Sequence, residues 1–138
     1  MREVEGGVVA VLARGDRVHE SLLKLVTEKQ ISGGVISAIG AVKNTRIGFY
    51  HLHTKSYEER LITEDVELVN LSGNITWLNG KPFIHCHVTL GTTDFRALAG
   101  HLFEAECAVS VEIFIASRAD KTQRVANPEI GLNLMELD

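Results

Sequence analysis

Cysteine is scarce in this chain. Its 138 residues hold two, Cys86 and Cys107, with no CxxC pair, which excludes a disulfide framework and a paired-cysteine zinc site. No apolar run approaches the ~20 residues a transmembrane helix needs, so no membrane partner is expected. The opening residues, MREVEGG, mix charges and carry no hydrophobic secretory segment. A cytoplasmic location is the resulting expectation. Clusters of basic residues are missing as well: Arg14, Lys24, Lys43, Arg60, Lys81, Arg96 and Arg118 are dispersed. With a net charge of −4 and an isoelectric point near 5.9, the chain does not advertise a surface built mainly for nucleic acid. Folding can still gather scattered cations, so nucleic acid stays a possible but disfavoured partner. There is no repeat, linker or low-complexity tract. Nor is there a pair of helices joined by the tight turn of a helix-turn-helix reader.

What is present suits one domain spanning residues 1–138, long enough to bury a core without metal or disulfide staples. Gly6 to Arg14 (GGVVAVLAR) is a short apolar run that fits a buried strand. Gly15-Asp16 reads as a turn, with Asp16 placed to cap a helix. Val18, Leu22, Leu25 and Val26 then recur at helical spacing, so one main helix is expected at about residues 17–30, ended by Gly33-Gly34. Strands are expected at 35–42, 45–54, 57–63, 66–78, 82–90, in FRALAGHL and at 107–117. Gly73 marks a bend or bulge, and Asn79-Gly80 a hairpin turn. The tail holds one more apolar stretch, Leu132–Leu137. The pattern is α+β: about seven strands in a mostly antiparallel sheet, packed with one helix.

The chemistry concentrates in PFIHCHVTL. Strand alternation turns Ile84, Cys86, Val88 and Leu90 to one face, and Phe83, His85, His87 and Thr89 to the other. The two imidazoles start roughly 7 Å apart at Cα and aim at one region. Neutral imidazole suits zinc and similar divalent metals. If residues 94–96 turn the chain, FRALAGHL runs back beside this strand and offers His101 as a third ligand, with Gly100 leaving room. Three histidines with an open fourth position resemble a catalytic zinc site more than a structural one. The competing interpretation is two polar residues on a half-exposed strand. Cys86 faces the core and reads as a small hydrophobe. His51 and His53 repeat the HxH geometry near a polar turn, where a solvated edge is expected. His19 is expected to be exposed in the first helical turn.

Glu112 interrupts the apolar segment AVSVEIFIAS. A carboxylate there needs a partner or water. It could hold a metal-bound histidine, pair with Arg14, or face a subunit interface.

Three stretches together resemble the PPC domain, conserved in plants and prokaryotes: GDRVHESLLKLVTEKQISGGVISAIGAV, LVNLSGNITWLNGKPFIHCHVTLG, and ALAGHL followed by VSVEIFI. The likeness covers nearly the whole chain. Its most specific pieces are GAV, LSGNI, HxHVTLG and GHL, in that order. The resemblance implies a curved antiparallel sheet flanked by a helix, a homotrimer, and a stand-alone prokaryotic-type member with a metal triad carried over to His85, His87 and His101. Plant members touch DNA through an added AT-hook, a basic Arg-Gly-Arg-Pro segment. Here Arg14-Gly15-Asp16-Arg17 lacks the proline and basic neighbours. Three readings follow: a metal protein with a pocket for a small molecule or for metal-assisted hydrolysis or hydration, a DNA-binding regulatory protein, and an assembly module whose exposed Phe49, Tyr50 or Phe114 line a trimer seam.

Overall fold

Apolar and polar residues alternate along much of the sequence, and the structure, a computed structural model describing residues 1–137, is built chiefly of strands. Among those residues the elements are β1 (Arg2–Val4), β2 (Gly7–Ala13), α1 (Val18–Glu28), β3 (Gly33–His51), β4 (Ser56–Ile62), β5 (Val66–Leu78), β6 (Lys81–Gly91), β7 (Ala97–Arg118), β8 (Gln123–Asn127) and β9 (Leu132–Glu136). They form one sheet, antiparallel except where β8 meets β5. The α+β expectation holds, with two corrections in strand count. Residues 35–42 and 45–51 belong to one strand, β3, because Lys43–Arg46 is absorbed as an irregularity against β7, and residues 52–54, expected to continue it, form the turn into β4 instead. ALAGHL of the expected FRALAGHL strand and the 107–117 segment likewise fuse into β7, while Phe95 and Arg96 stay in the preceding loop.

The fused strands shape the sheet. β3 pairs with β5, β5 with β6, β6 with the start of β7, and β7 with β3 along most of its length. The pairings therefore close on themselves. Inside lie Ile36, Val42, Leu71, Leu90, Val111 and Ile113, all nearly inaccessible to solvent. The helix seals this core with Val18, Leu22, Leu25 and Val26, the apolar face that the spacing predicts.

Three local expectations are corrected. Asp16 does not cap the helix: Arg17 is the N-cap without a side-chain bond, and Asp16 accepts from the Ala13 N–H instead. Glu104 of β7 takes over, accepting from the His19 and Glu20 N–H groups at 2.7 and 3.2 Å. A carboxylate there satisfies orphan donors and complements the positive helix end. The helix closes through Gln30, at φ 52°, while Gly33 and Gly34 already belong to β3. Gly73 makes no bulge; the irregularity lies between Leu68 and Asn70. Gly73 instead admits Cys86, since a Cβ there would stand 2.4 Å from the Cys86 sulfur. Asn79-Gly80, both at positive φ, make the expected hairpin turn from β5 to β6.

Candidate metal centre

Register places the histidines. Cross-strand partners share a face of a sheet, and His87 lies directly opposite His101. His85 stands two residues from His87 on the same face. The ring centroids are 4.9 Å (His85–His87), 5.1 Å (His85–His101) and 5.8 Å (His87–His101) apart. One nitrogen from each ring falls within 4.8 Å of the others. Zinc–nitrogen bonds of ~2.1 Å require closer approach, which rotation about side-chain bonds supplies.

The surroundings favour neutral rings. Tyr57 lies against His101 at 5.0 Å between centroids, and Phe103 meets its edge at 4.9 Å. Burial first, then the charges that His85, His87 and His19 acquire on protonation, push His101 down to about 4. Burial, His87 and Arg124 lower His85 as well. An uncharged imidazole keeps a lone pair for a cation. Moreover, His101 Nδ1 is buried with no hydrogen-bond partner. Such an orphan costs ~1–3 kcal/mol, and coordination would remove the penalty. The donor set thus fits a divalent metal.

The depressed histidines also predict an acid response. His101 binds its proton less readily folded than unfolded, where its value is ordinary. Its stability contribution is therefore level above about pH 6.5, declines as the pH falls towards about 4, and is flat below. Discounted for solvent screening, roughly 1–2 kcal/mol should be lost over that interval. Urea midpoints of metal-free protein measured from pH 7.5 to 4.5 should show the decline, and His101→Phe should flatten it.

The other expected residues are placed elsewhere. Glu112 is exposed on β7, opposite Val11 and Ile39, eleven residues beyond His101. Arg14 is exposed, and neither forms an ion pair among the described residues. Gly100 serves a backbone contact: a Cβ there would lie 2.8 Å from the Gly48 carbonyl oxygen of β3. His51 pairs with Glu58 at 2.8 Å on the surface, and His53 is exposed. His19 is half-buried rather than exposed, its ring 3.4 Å from the Ile84 carbonyl. Cys86 is buried, its thiol pushed up to about 12 by burial, and it contributes no thiolate ligand.

Sequence reasoning missed four neighbours. Tyr57 walls the site, Glu104 anchors the helix beside β7, and Asn74 lies directly opposite His85. The fourth, Arg124 on β8, is 9% exposed and points Nη2 at Asn74 Oδ1 (3.1 Å) and His85 Nδ1 (3.4 Å). Asn74 sits within LSGNI, where its place on the histidine face follows from alternation once β5 and β6 are paired. Nothing local in QRVAN shows that Arg124 folds back over β5.

A mainly antiparallel sheet with one helix and three converging imidazoles defines an α+β domain equipped to hold a metal. The chain belongs to the Plants and Prokaryotes Conserved (PCC, or PPC) domain family, whose model matches residues 2–119. Solved structures agree. A candidate DNA-binding protein from Bacteroides thetaiotaomicron is 30% identical, with TM-score 0.95 over 98% of this chain and 94% of that one. A metal-containing protein from Archaeoglobus fulgidus is 33% identical, with TM-score 0.88 over 98% and 96%. A PPC protein from Pyrococcus horikoshii is 29% identical, with TM-score 0.88 over 95% and 91%. No curated protein matches the sequence.

Proposed function

We propose that this PPC-domain protein binds a divalent metal, with zinc best suited to its donors, through His85, His87 and His101. The carrying observation is that three ring nitrogens from two paired strands lie within 4.8 Å of one another. The metal content of the Archaeoglobus relative supports the reading. Three ligands leave coordination open for a small molecule or for metal-assisted hydrolysis or hydration. An open depression of about 420 Å³ beside His85 and His87, lined also by Val35, Ser72, Gly73 and Asn74, gives such a ligand access. Elemental analysis should find about one metal per chain in protein purified without chelators. Metal-free protein that takes up no zinc on reconstitution would rule the reading out.

The same protein is proposed to assemble as a homotrimer. Val11, Val35, Ile39 and Phe114 are each more than half exposed on one face of β2, β7 and β3, a patch that favours burial. Glu112 lies within it, the interface alternative for that carboxylate. Tyr50 does not fit this seam: it packs on Tyr57 and donates to the Ile130 carbonyl. Two buried free thiols suit the reducing cytoplasm.

DNA binding is the second reading, favoured by the description of the Bacteroides relative. For a chain of net charge −4, the expected result is no binding to duplex DNA in anisotropy titrations at about 50 mM salt. A tight isotherm weakening steeply with added salt would place DNA first.

A further inference from the structure

Arg124 carries a charge that the fold leaves uncompensated. The β8–β9 hairpin lays it over the end of the histidine face, where it stacks on Phe83. Its Nε donates to Thr76 Oγ1 at 2.7 Å, Nη1 to the Asn133 carbonyl at 2.9 Å, and Nη2 to Asn74 Oδ1 and towards His85 Nδ1. Every acceptor is neutral, and no carboxylate among the described residues forms an ion pair with Arg124. A buried cation without a counter-ion is costly. A divalent cation on His85 would add a second positive charge beside it.

Valence sharpens the point. A neutral imidazole has one lone pair and one N–H. Once a metal takes the lone pair of His85, the other nitrogen carries hydrogen and cannot accept from Arg124. Metal binding thus leaves an Arg124 N–H without an acceptor at the edge of the site. Asn74 is oriented for the same task. Its oxygen must face the donor-only guanidinium, so its NH2 group is turned away from Arg124. The depression's lining contains Ser72 and Asn74 but no carboxylate.

Resting on the metal reading, we propose that the site takes a small oxyanion, shared between the metal's open position and the Arg124 guanidinium. Asn74 and Ser72 supply further donors, and the oxyanion is the counter-ion that both cations lack. Arg124 lies on the β8–β9 hairpin, beyond residues 2–119 matched by the family model. A carboxylate and a phosphate share the required chemistry, and separate titrations distinguish them.

The test uses cobalt(II) in place of zinc, because its visible spectrum reports the coordination sphere directly. Cobalt affinity is measured in chloride buffer alone, with sodium acetate and with inorganic phosphate. Binding linkage is reciprocal, so a bridging anion should tighten cobalt by about 5–150-fold and shift the spectrum. Whichever of acetate or phosphate does so identifies the class. Arg124→Met should bind cobalt without responding to either anion. Should that variant fail to fold, Asn74→Asp places a carboxylate against Arg124 without changing volume and should likewise lose the response. Cobalt binding in wild type with no effect of either anion overturns the oxyanion site and leaves the metal reading intact. A full response surviving in Arg124→Met also overturns it. No cobalt spectrum under any condition overturns both.

Discussion

His101→Ala is expected to lose at least ~100-fold in zinc affinity while keeping the fold. Residues that merely orient a metal-binding histidine commonly contribute 10–100-fold, and deleting a ligand of three should exceed that. The side chain is separable from the core: Leu102 is buried on one face of β7, and His101 faces the other. Losing the ring removes contacts with Tyr57 and Phe103, but it also removes the buried, unpartnered Nδ1. The two effects oppose one another, so the metal-free variant should melt close to the wild type. Zinc separates them. At 100 times its dissociation constant, zinc should stabilise the wild type by about 2.7 kcal/mol, with almost no effect on the variant. Competition against a chromophoric chelator gives the affinity, and melts with and without zinc give the linkage. Undiminished zinc binding in His101→Ala would place the metal elsewhere.

The sequence makes this centre legible because alternation and hairpin geometry are both local. HxH on a strand fixes His85 and His87 to one face. A short loop after Gly91 makes the following segment its antiparallel neighbour, and the pairing of His87 with His101 follows. The helix reads equally well from the spacing of Val18, Leu22, Leu25 and Val26. What hides from the sequence is set by distant contacts. Glu104 reaches the helix start across 85 residues, so Asp16, the nearer carboxylate, looks like the cap. β3 and β7 run through polar residues because each is paired along both sides, and local polarity makes them look broken. Arg124 comes within reach of Asn74 across 50 residues, through a hairpin whose only pairing to β5 is at Trp77 and Gln123. Glu112 shows the limit of a single odd residue. Its neighbours were readable, but whether that face meets water or another subunit depends on molecules outside the chain.

Phe114→Glu is expected to convert the proposed trimer into a folded monomer. Phe114 stands between Val9 and Ser37 across three strands and is 58% exposed. Its neighbours Ile113 and Ile115 occupy the buried face, so the substitution spares the core. In an assembly the new carboxylate would join Glu112 on an apolar surface, repeated by symmetry on each subunit. Burying unpaired like charges opposes association by several kcal/mol per copy, enough to dissociate a micromolar assembly. Light scattering should give three times the 15.2 kDa chain mass for the wild type and one chain mass for the variant, with unchanged circular dichroism. Phe49→Glu is the control. Phe49 is 67% exposed, but alternation places it on the opposite face from Gly48, the partner of His101, so this variant should stay trimeric. If Phe49→Glu dissociates the protein and Phe114→Glu does not, the seam lies on the other side of the sheet. A monomeric wild type removes the assembly altogether. Because Val35 belongs both to the apolar face and to the histidine depression, dissociation should also expose one wall of the metal site. Zinc affinity measured on the monomer then tells whether the site is complete within one chain.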